Sequence, residues 1–456
     1  MTSQLCLSID GEETMYQKRF LHIAFYVLCL MNISFFSNAS DSLQFLSTQL
    51  APVHESEMMR NDVLRGFSHP VEFQAYDDKR IFSQLALEKN IDIFGGLHGD
   101  FVALHQKKLL AELDDIVLKE FSHKNFVKRY LSLGRLSSEH YYYVPWMQAT
   151  YIMAARKEAL AYLPKKVDIN HLTYEQLLQW AVNIRKKTGK AKLGFPVGSK
   201  GLMHRFLQGY LYPSYTGGMV TKFKSKDAIV MWKMMQRLWK QVDPHSLSYS
   251  HMGSPLASGQ IWIAWDHSAR LKEVQMQPDK FVVFPAPSGP FGRGFMAVIA
   301  GLAMSQTTSD PDSSKKLIDY LTSDETQSYM MKNVGFFPVT SEKQIASEKK
   351  ITAGNAMTSG AKQTNFEPGL ALIENAVALQ ANSKDSLPAL LPVGLGDRSS
   401  QFNLIYLKAF TKIVLREFDI AQVLEVQAES LRTLMEQTGA PCWPPDKPSK
   451  GACPIE

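Results

Sequence analysis

Gln49, His98, Asp100, Asp266, His267 and Arg293 stand in turns that follow or link extended runs, and each carries a planar group that hydrogen-bonds in fixed directions. Trp146, Tyr151 and Phe336 add flat apolar faces close to such turns. Those types suit a ligand with hydroxyls at its edge and CH groups on its face, held by hydrogen bonds around the rim and by stacking beneath. Signatures of covalent chemistry are scarce. His54-Glu55 lacks the second histidine of a zinc-protease helix, Gly-x-Ser-x-Gly is absent, and neither a Walker loop nor a strict Gly-x-Gly-x-x-Gly occurs. The stretch Gly292 to Ala297 comes nearest to the last, but it leads into a strand-like run where a helix is required. Scattered Asp and Glu leave a glycosidase pair open, because sequence does not give their separation.

Several candidates have a second, structural reading. Trp146 serves either as a platform or as a core aromatic, with Pro145 favouring a strand end. Asp100 either touches ligand or caps a helix beginning near Phe101, and the two roles are compatible. Ser47 to Gln49 either contact ligand or shape a turn. Asp266 and His267 are adjacent on an extended chain and point to opposite faces, which argues against a direct acid-base pair. One of them lining a cleft, with Arg270 paired to an acid, is the better expectation. Among His204, Arg205, Tyr210 and Tyr212 on one helical stretch, His204 is the binding candidate and the tyrosines read as core. The loop Gly289 to Gly294 reads either as a surface turn or as backbone that approaches ligand. Arg205, Arg270 and Arg293 add the expectation of a carboxylate or phosphate on the ligand.

The elements that must hold these groups alternate. Leu43 to Ser47, Val71 to Gln74 and Ile91 to Phe94 read as strands separated by helical stretches over about 55–67 and up to Lys89. Such βα units form parallel sheets whose ligands lie beyond the carboxyl ends of the strands, where Ser47 to Gln49 and His98 to Asp100 fall. Further along, amphipathic stretches cover 201–212 and 228–241, and Ile261 to Trp265, Phe281 to Phe284 and Met296 to Met304 read as strands. One helix is expected over 314–333 and another over 420–436, the latter with Ile420, Val423, Leu424, Ala428, Leu431 and Leu434 on one face.

The stretch from Tyr141 to Leu177 ties the parts together. Val144 and Tyr151 to Ala155 are strand-like, and Thr173 with Gln176 has capping-box spacing before a helix that Gly189 closes. This order, Pro145-Trp146 followed by Thr173-Tyr174-Glu175-Gln176-Leu177, resembles the hinge region of extracellular solute-binding proteins of carbohydrate ABC importers. Tyr320 to Gln327 and Gly335 to Val339 are similar to further signatures of that family, in the family's order over about residues 43–437. The crossing tripeptide departs from the usual Tyr-Asn-Lys and is Ala155-Arg156-Lys157 here. The resemblance implies an α/β fold of two lobes with a central cleft and a hinge, built from 40–155 with 286–334 and from 156–285 with 335–437. It implies binding of a carbohydrate without catalysis or cofactor, hinge closure around it, and delivery by a monomer to the membrane subunits of an ABC permease. A secreted glycoside-active enzyme and a sensor that presents ligand to a membrane receptor are the alternatives.

The N-terminus agrees with export. Lys18 and Arg19 precede an apolar run from Phe20 to Phe36, and Ser37-Asn38-Ala39 offers a signal-peptidase site, so cleavage after Ala39 is expected. Met15 is an alternative start that removes the acidic Asp10, Glu12 and Glu13 from the leader, and an uncleaved anchor is disfavoured by His22, Asn32 and Ser34. Cys29 follows Leu28 and lacks the small residue that precedes a lipidated cysteine, so a free periplasmic protein is expected. Beyond the leader only Cys442 and Cys453 remain, bracketing a Pro-rich tail at 438–456 that has little else to hold it, and a disulfide is expected there. Loss of Lys18, Arg19, Asp10, Glu12 and Glu13 moves the formal charge from +6 to +7. That small, dispersed excess does not describe a nucleic-acid track.

Overall fold

The computed structural model describes residues 42–124, 126–339 and 366–456, so the leader at 1–39 and the polar stretch at 341–364 lie outside the described residues. Eleven strands occur among the described residues: β1 (Leu43–Ser47), β2 (Val71–Ala75), β3 (Ile93–Leu97), β4 (Val144–Ala149), β5 (Tyr151–Arg156), β6 (Leu193–Gly194), β7 (Ile263–His267), β8 (Phe281–Phe284), β9 (Arg293–Met296), β10 (Val298–Met304) and β11 (Ser386–Ala389). They form a sheet of order β2-β1-β3-β10-β4, a second of order β6-β7-β5-β8, and the pair β11-β9.

In the first sheet β1 runs parallel to β2 and β3, while β10 is antiparallel to β3 and β4. Both faces are covered, as parallel strands with continuous apolar runs require. Leu43 and Phe45 pack with Trp146, Ile116 and Leu317 on one side, and Leu46 packs with Phe82, Phe94 and Phe101 on the other. The helix expected over 314–333 is two helices, Pro311–Leu321 and Asp324–Val334. Asp310 caps the first, and Ser323 breaks the run by capping the second through a bond from the Thr326 amide.

The second sheet divides its residues by the same alternation. Tyr151, Met153 and Ala155 face a large core with Trp180, Trp265 and Phe284, and Ile152 and Ala154 face Leu256, Phe281 and Ile373. The helix Tyr174–Thr188 begins with the expected reciprocal cap: the Gln176 amide donates to Thr173 Oγ1 at 3.2 Å, and the Thr173 amide donates to Gln176 Oε1 at 2.9 Å. Gly189 ends it at φ 71°, in the left-handed region that glycine enters without strain.

The passage between sheets is not where the sequence placed it. β4 pairs with β10, whereas β5 pairs with β7 and β8, so the chain crosses at Thr150 and not at Ala155-Arg156-Lys157. The return falls at Ala297, between β9 and β10, and not at 286, because β9 pairs with β11 and packs on the turn Leu207–Leu211. A third strap is Phe337, which bridges to Gln148 with the Phe337 amide 2.7 Å from the Gln148 carbonyl. Thr150 and Met296 are fastened to each other, since Thr150 Oγ1 donates to the Met296 carbonyl at 2.9 Å. Tyr210 Oη lies 3.0 Å from Thr150 Oγ1, accepts from the Tyr151 amide at 3.0 Å and donates to the Tyr151 carbonyl at 2.8 Å. Gln380 completes the knot, its side-chain amide donating to the Tyr151 carbonyl at 3.0 Å and its oxygen accepting from the Ala286 amide.

The C-terminal tail is held by more than its disulfide, which does link Cys442 and Cys453. Trp443 is buried against Phe402. Asp446 is also buried and accepts from the backbone amides of Met219, Val220 and Thr221 at 2.8 to 2.9 Å. The expectation of a tail with little else to hold it is corrected by these contacts.

A buried hydroxyl that serves both sides of a crossing should be costly to lose. Tyr210→Phe is expected to lower unfolding free energy by about 2 kcal/mol in urea denaturation, because the Tyr151 amide then loses its buried acceptor. An unchanged midpoint would contradict the network.

Candidate functional site

The carboxyl ends of β2 and β3 open onto a cavity of about 890 Å³. One wall comes from elements of the first sheet: Asp77, Asp78, Lys79 and Arg80 after β2, and Leu97 and Gly99 at the end of β3. The other wall comes from elements packed with the second sheet: Arg205, Leu391, Pro392 and the helix start from Asp397 to Asn403. Residues Leu43–Glu456 are one compact unit, so both walls belong to the same body of chain. At Gly99 the walls nearly touch, since a Cβ there would lie 2.7 Å from the Pro392 carbonyl oxygen. A second cavity of about 430 Å³ is lined by His54, Glu55, Ser199, Lys200, Ser250, His251, Ala269, Arg270, Lys272 and Glu273.

Ser47, Gln49, His98 and Asp100 stand beside the first wall without lining the cavity, and most of their polar groups already have partners. Ser47 is buried and its Oγ accepts from the Gln49 amide at 2.9 Å, and the Gln49 side chain donates to Thr48 Oγ1 at 3.1 Å. Asp100 does cap a helix, which begins at His98 and not near Phe101. Its Oδ2 accepts from the Leu97 amide at 3.0 Å and from Thr48 Oγ1 at 2.9 Å, and its Oδ1 pairs with Lys79 Nζ at 2.6 Å. His98 Nδ1 lies 2.9 Å from Tyr143 Oη, and burial pushes the imidazole down to about 4. Trp146 lies in the core beside Phe45, with ring centroids 5.9 Å apart. A ring with no exposed face offers no platform in this conformation, so core packing is the role the structure gives it.

Behind the second wall, at residues that line neither cavity, Tyr151 stacks on Trp265 with centroids 4.8 Å apart and meets His267 edge-on at 5.1 Å. Phe336 stands 6.1 Å from His267 on the other side. Burial holds His267 down to about 3 and His204 well below its usual value, the charges of Arg205 and Arg270 adding to both. These imidazoles are therefore neutral donors and acceptors at neutral pH. Asp266 is fully buried and accepts from the Met252 and His267 amides, each at 2.7 Å. Burial raises it to about 7, against the field of Arg270 and those two bonds. It forms no side-chain pair with His267, as the alternation of an extended strand predicts. The Arg270 guanidinium bonds the carbonyls of Lys200 at 3.3 Å and Ser250 at 2.9 Å. The expected pairing with an acid is replaced by backbone carbonyls, because the carboxylate of Asp266 is already taken by amides.

Arg293 belongs elsewhere. It is buried, its Nε lies 3.8 Å from Asp385, and it lines neither cavity. The structure thus brings together Tyr151, His204, His267 and the two arginines 205 and 270, and separates Arg293 and Trp146 from them. Lys79, Asp77, Asp78, Arg80 and the residues from Asp397 to Asn403 were missed in the sequence. The carboxyl-end rule reaches the first four, whereas no local pattern marks a helix start more than 300 positions further on. Among the described residues, one group of metal-ligand types gathers, Glu112, Asp114 and His140, but it lines neither cavity and His140 is occupied by Asp114 at 2.6 Å.

The family model for the bacterial extracellular solute-binding proteins matches residues 74–328, more than half of the chain. The protein belongs to that family. Its two-lobed α/β fold is shared with solved structures of low sequence identity. An ABC substrate-binding protein from Listeria monocytogenes in complex with cycloalternan has a TM-score of 0.64 at 14% identity, covering 86% of this chain and 98% of that one. UgpB from Mycobacterium tuberculosis in complex with glycerophosphocholine gives 0.66 at 16%, with 88% and 99% covered. Maltose-bound MalE3 from T. maritima gives 0.62 at 15%, with 86% and 99% covered. A comparison with curated proteins finds no match.

The depressed imidazole of His98 makes stability depend on pH with a definite sign. An unfolded histidine takes up its proton near 6.5 and the folded one only near 4, so unfolding binds a proton between these values and stability falls as pH drops through that window. His98→Asn, which keeps a polar partner for Tyr143, is expected to lose about 2 kcal/mol less than wild type between pH 6.5 and 4 in urea titrations. Parallel losses in the two proteins would contradict the buried, neutral imidazole.

Proposed function

We propose that this protein is the exported, solute-capturing component of an ABC importer, and that it binds a carbohydrate between its lobes. The observation that carries the reading is the cavity of about 890 Å³ walled by elements of both sheets beyond the carboxyl ends of β2 and β3. In this reading lobe 1 comprises 40–150 and 297–334, and lobe 2 comprises 151–296 and 335–437 with the tail at 438–456 packed on it. The leader at 1–39 directs the chain to the periplasm and is removed after Ala39. The monomer delivers its closed, loaded form to the permease subunits and performs no turnover. That the structural relatives named above are described with cycloalternan and maltose supports the carbohydrate class.

Closure follows from contacts to both walls. A solute touching Gln49 or His98 on one side and His204 or His267 on the other stabilises the closed arrangement over the open one, and only that difference shifts the population. Phe336, only partly buried, is the ring near the cleft that can stack on a sugar face, since Tyr151 is buried against Trp265, while Arg270 contributes from the second cavity. Ser47, Asp100 and Asp266 act behind them by fixing the turns that present the contacting groups.

Calorimetric titration against neutral and acidic mono- and oligosaccharides, with reducing ends assayed in parallel, tests the proposal. One site per chain without released sugar is the expected result. Hydrolysis without stoichiometric binding would instead favour the glycoside-active enzyme.

A further inference from the structure

The cations around the cleft are unequally satisfied. Lys79 is paired with Asp100 at 2.6 Å, Arg80 with Asp78 at 3.0 Å, and Arg398 donates to the Gln437 side chain. Among the described residues Arg205 has no such partner. It lines the larger cavity, and its Nη1 is buried without a hydrogen-bond partner. Among the described residues Arg270 bonds the carbonyls of Lys200 and Ser250 and no carboxylate. Both guanidinium groups act on Tyr151, His204 and His267, which places their charges around one region of the second wall. Asp100 is committed to Lys79, Thr48 and the Leu97 amide, so its charge reaches Arg205 already shared, and Asp266 is committed to the Met252 and His267 amides. Asp77 and Asp397 line the same cavity without a bond to Arg205.

A guanidinium removed from water without a counter-charge is costly, and a neutral hydroxyl offsets little of that cost. An oxyanion offsets it well, because the planar fork of arginine meets phosphate or carboxylate oxygens with two parallel bonds. The opposite wall adds backbone donors beside the paired charges of Asp78 with Arg80 and Lys79 with Asp100. Leu97 and Gly99 line the same cavity at the start of the helix His98–Gln106, where first-turn amides carry the positive end of the helix dipole. Arg293, the other buried arginine without full hydrogen bonding, is excluded as the seat because Asp385 faces it and it lines neither cavity.

We infer that the captured solute is a sugar or polyol bearing an oxyanion, and that Arg205 seats this group across the cleft from the start of the helix His98–Gln106. The inference rests on the capture reading above and adds the charge of the solute. Phosphate and carboxylate share the required chemistry, and the cavity is large enough for the polyol that carries either.

The test titrates wild type, Arg205→Gln and Arg205→Lys with glucose 1-phosphate, glycerol 3-phosphate and galacturonate, and with glucose, glycerol and maltose as neutral counterparts. Each variant is first checked for wild-type circular dichroism and thermal transition, and the lysine form retains charge if the glutamine form fails to fold. At least one oxyanion ligand is expected to bind about 30-fold more tightly than its neutral counterpart, the difference one charge-assisted pair supplies. Arg205→Gln should erase that preference, Arg205→Lys should keep part of it, and raising salt should weaken only the charged ligand. The phosphate and carboxylate arms identify which oxyanion is used. Stoichiometric binding of neutral sugars with no anion preference, or a preference that survives Arg205→Gln, overturns the inference and leaves the capture reading standing. No binding by any of the six compounds overturns both.

Discussion

The Thr150 hydroxyl is the point on which the arrangement of two sheets depends. It sits in the single residue between β4 and β5, and it donates to the carbonyl of Met296 beside the return crossing. Two separate passages of the backbone are thereby joined side by side. Tyr210 and Gln380 lock the flanking Tyr151 from the second-sheet side. A hinge needs this combination of two rigid packed bodies with few crossings between them. The separate cores around Trp146 and around Trp265 provide the bodies.

Burial, more than any motif, decides the chemistry of the cleft. His98, His204 and His267 are kept neutral by desolvation, which makes them hydrogen-bonding groups of fixed charge in place of acid-base catalysts at neutral pH. Asp100 and Asp266 spend their oxygens on backbone amides and, for Asp100, on Lys79. In the proposed reading, what remains for a ligand is a set of neutral polar edges, the partly buried ring of Phe336 and the charge of Arg205. That set fits recognition, and it assigns the tempting Asp266-His267 pair to structure.

Much of the fold was legible because the sequence periodicities are local. The capping box at Thr173, the left-handed Gly189 and the alternation along β1 each depend on residues within a few positions. The crossing was misplaced because residues 144–149 and 151–156 are equally strand-like. Which sheet each joins is decided by β10, β7 and β8, more than a hundred residues later. Trp146 was drawn toward the ligand by Pro145, yet it is the third residue of a six-residue strand and packs under the sheet. The strand-end rule pointed to His98 and Asp100, next to the cavity-lining Leu97 and Gly99, and stopped short of Asp77 to Arg80. The wall from Asp397 to Asn403 is brought there by tertiary packing that no spacing encodes.

The central claim is that the lobes move as bodies about Thr150 and Ala297 when solute binds. Double electron–electron resonance can follow this directly in residues 40–456 with spin labels at Leu87→Cys on one lobe and Val230→Cys on the other, beside a Leu87→Cys, Leu118→Cys control within lobe 1. The measurement is made before and after saturation with whichever of maltose, glucose 1-phosphate or galacturonate binds. The account predicts a shorter, narrower inter-lobe distance in the loaded protein and an unchanged control distance. Stoichiometric binding with no shift between the lobes would contradict it.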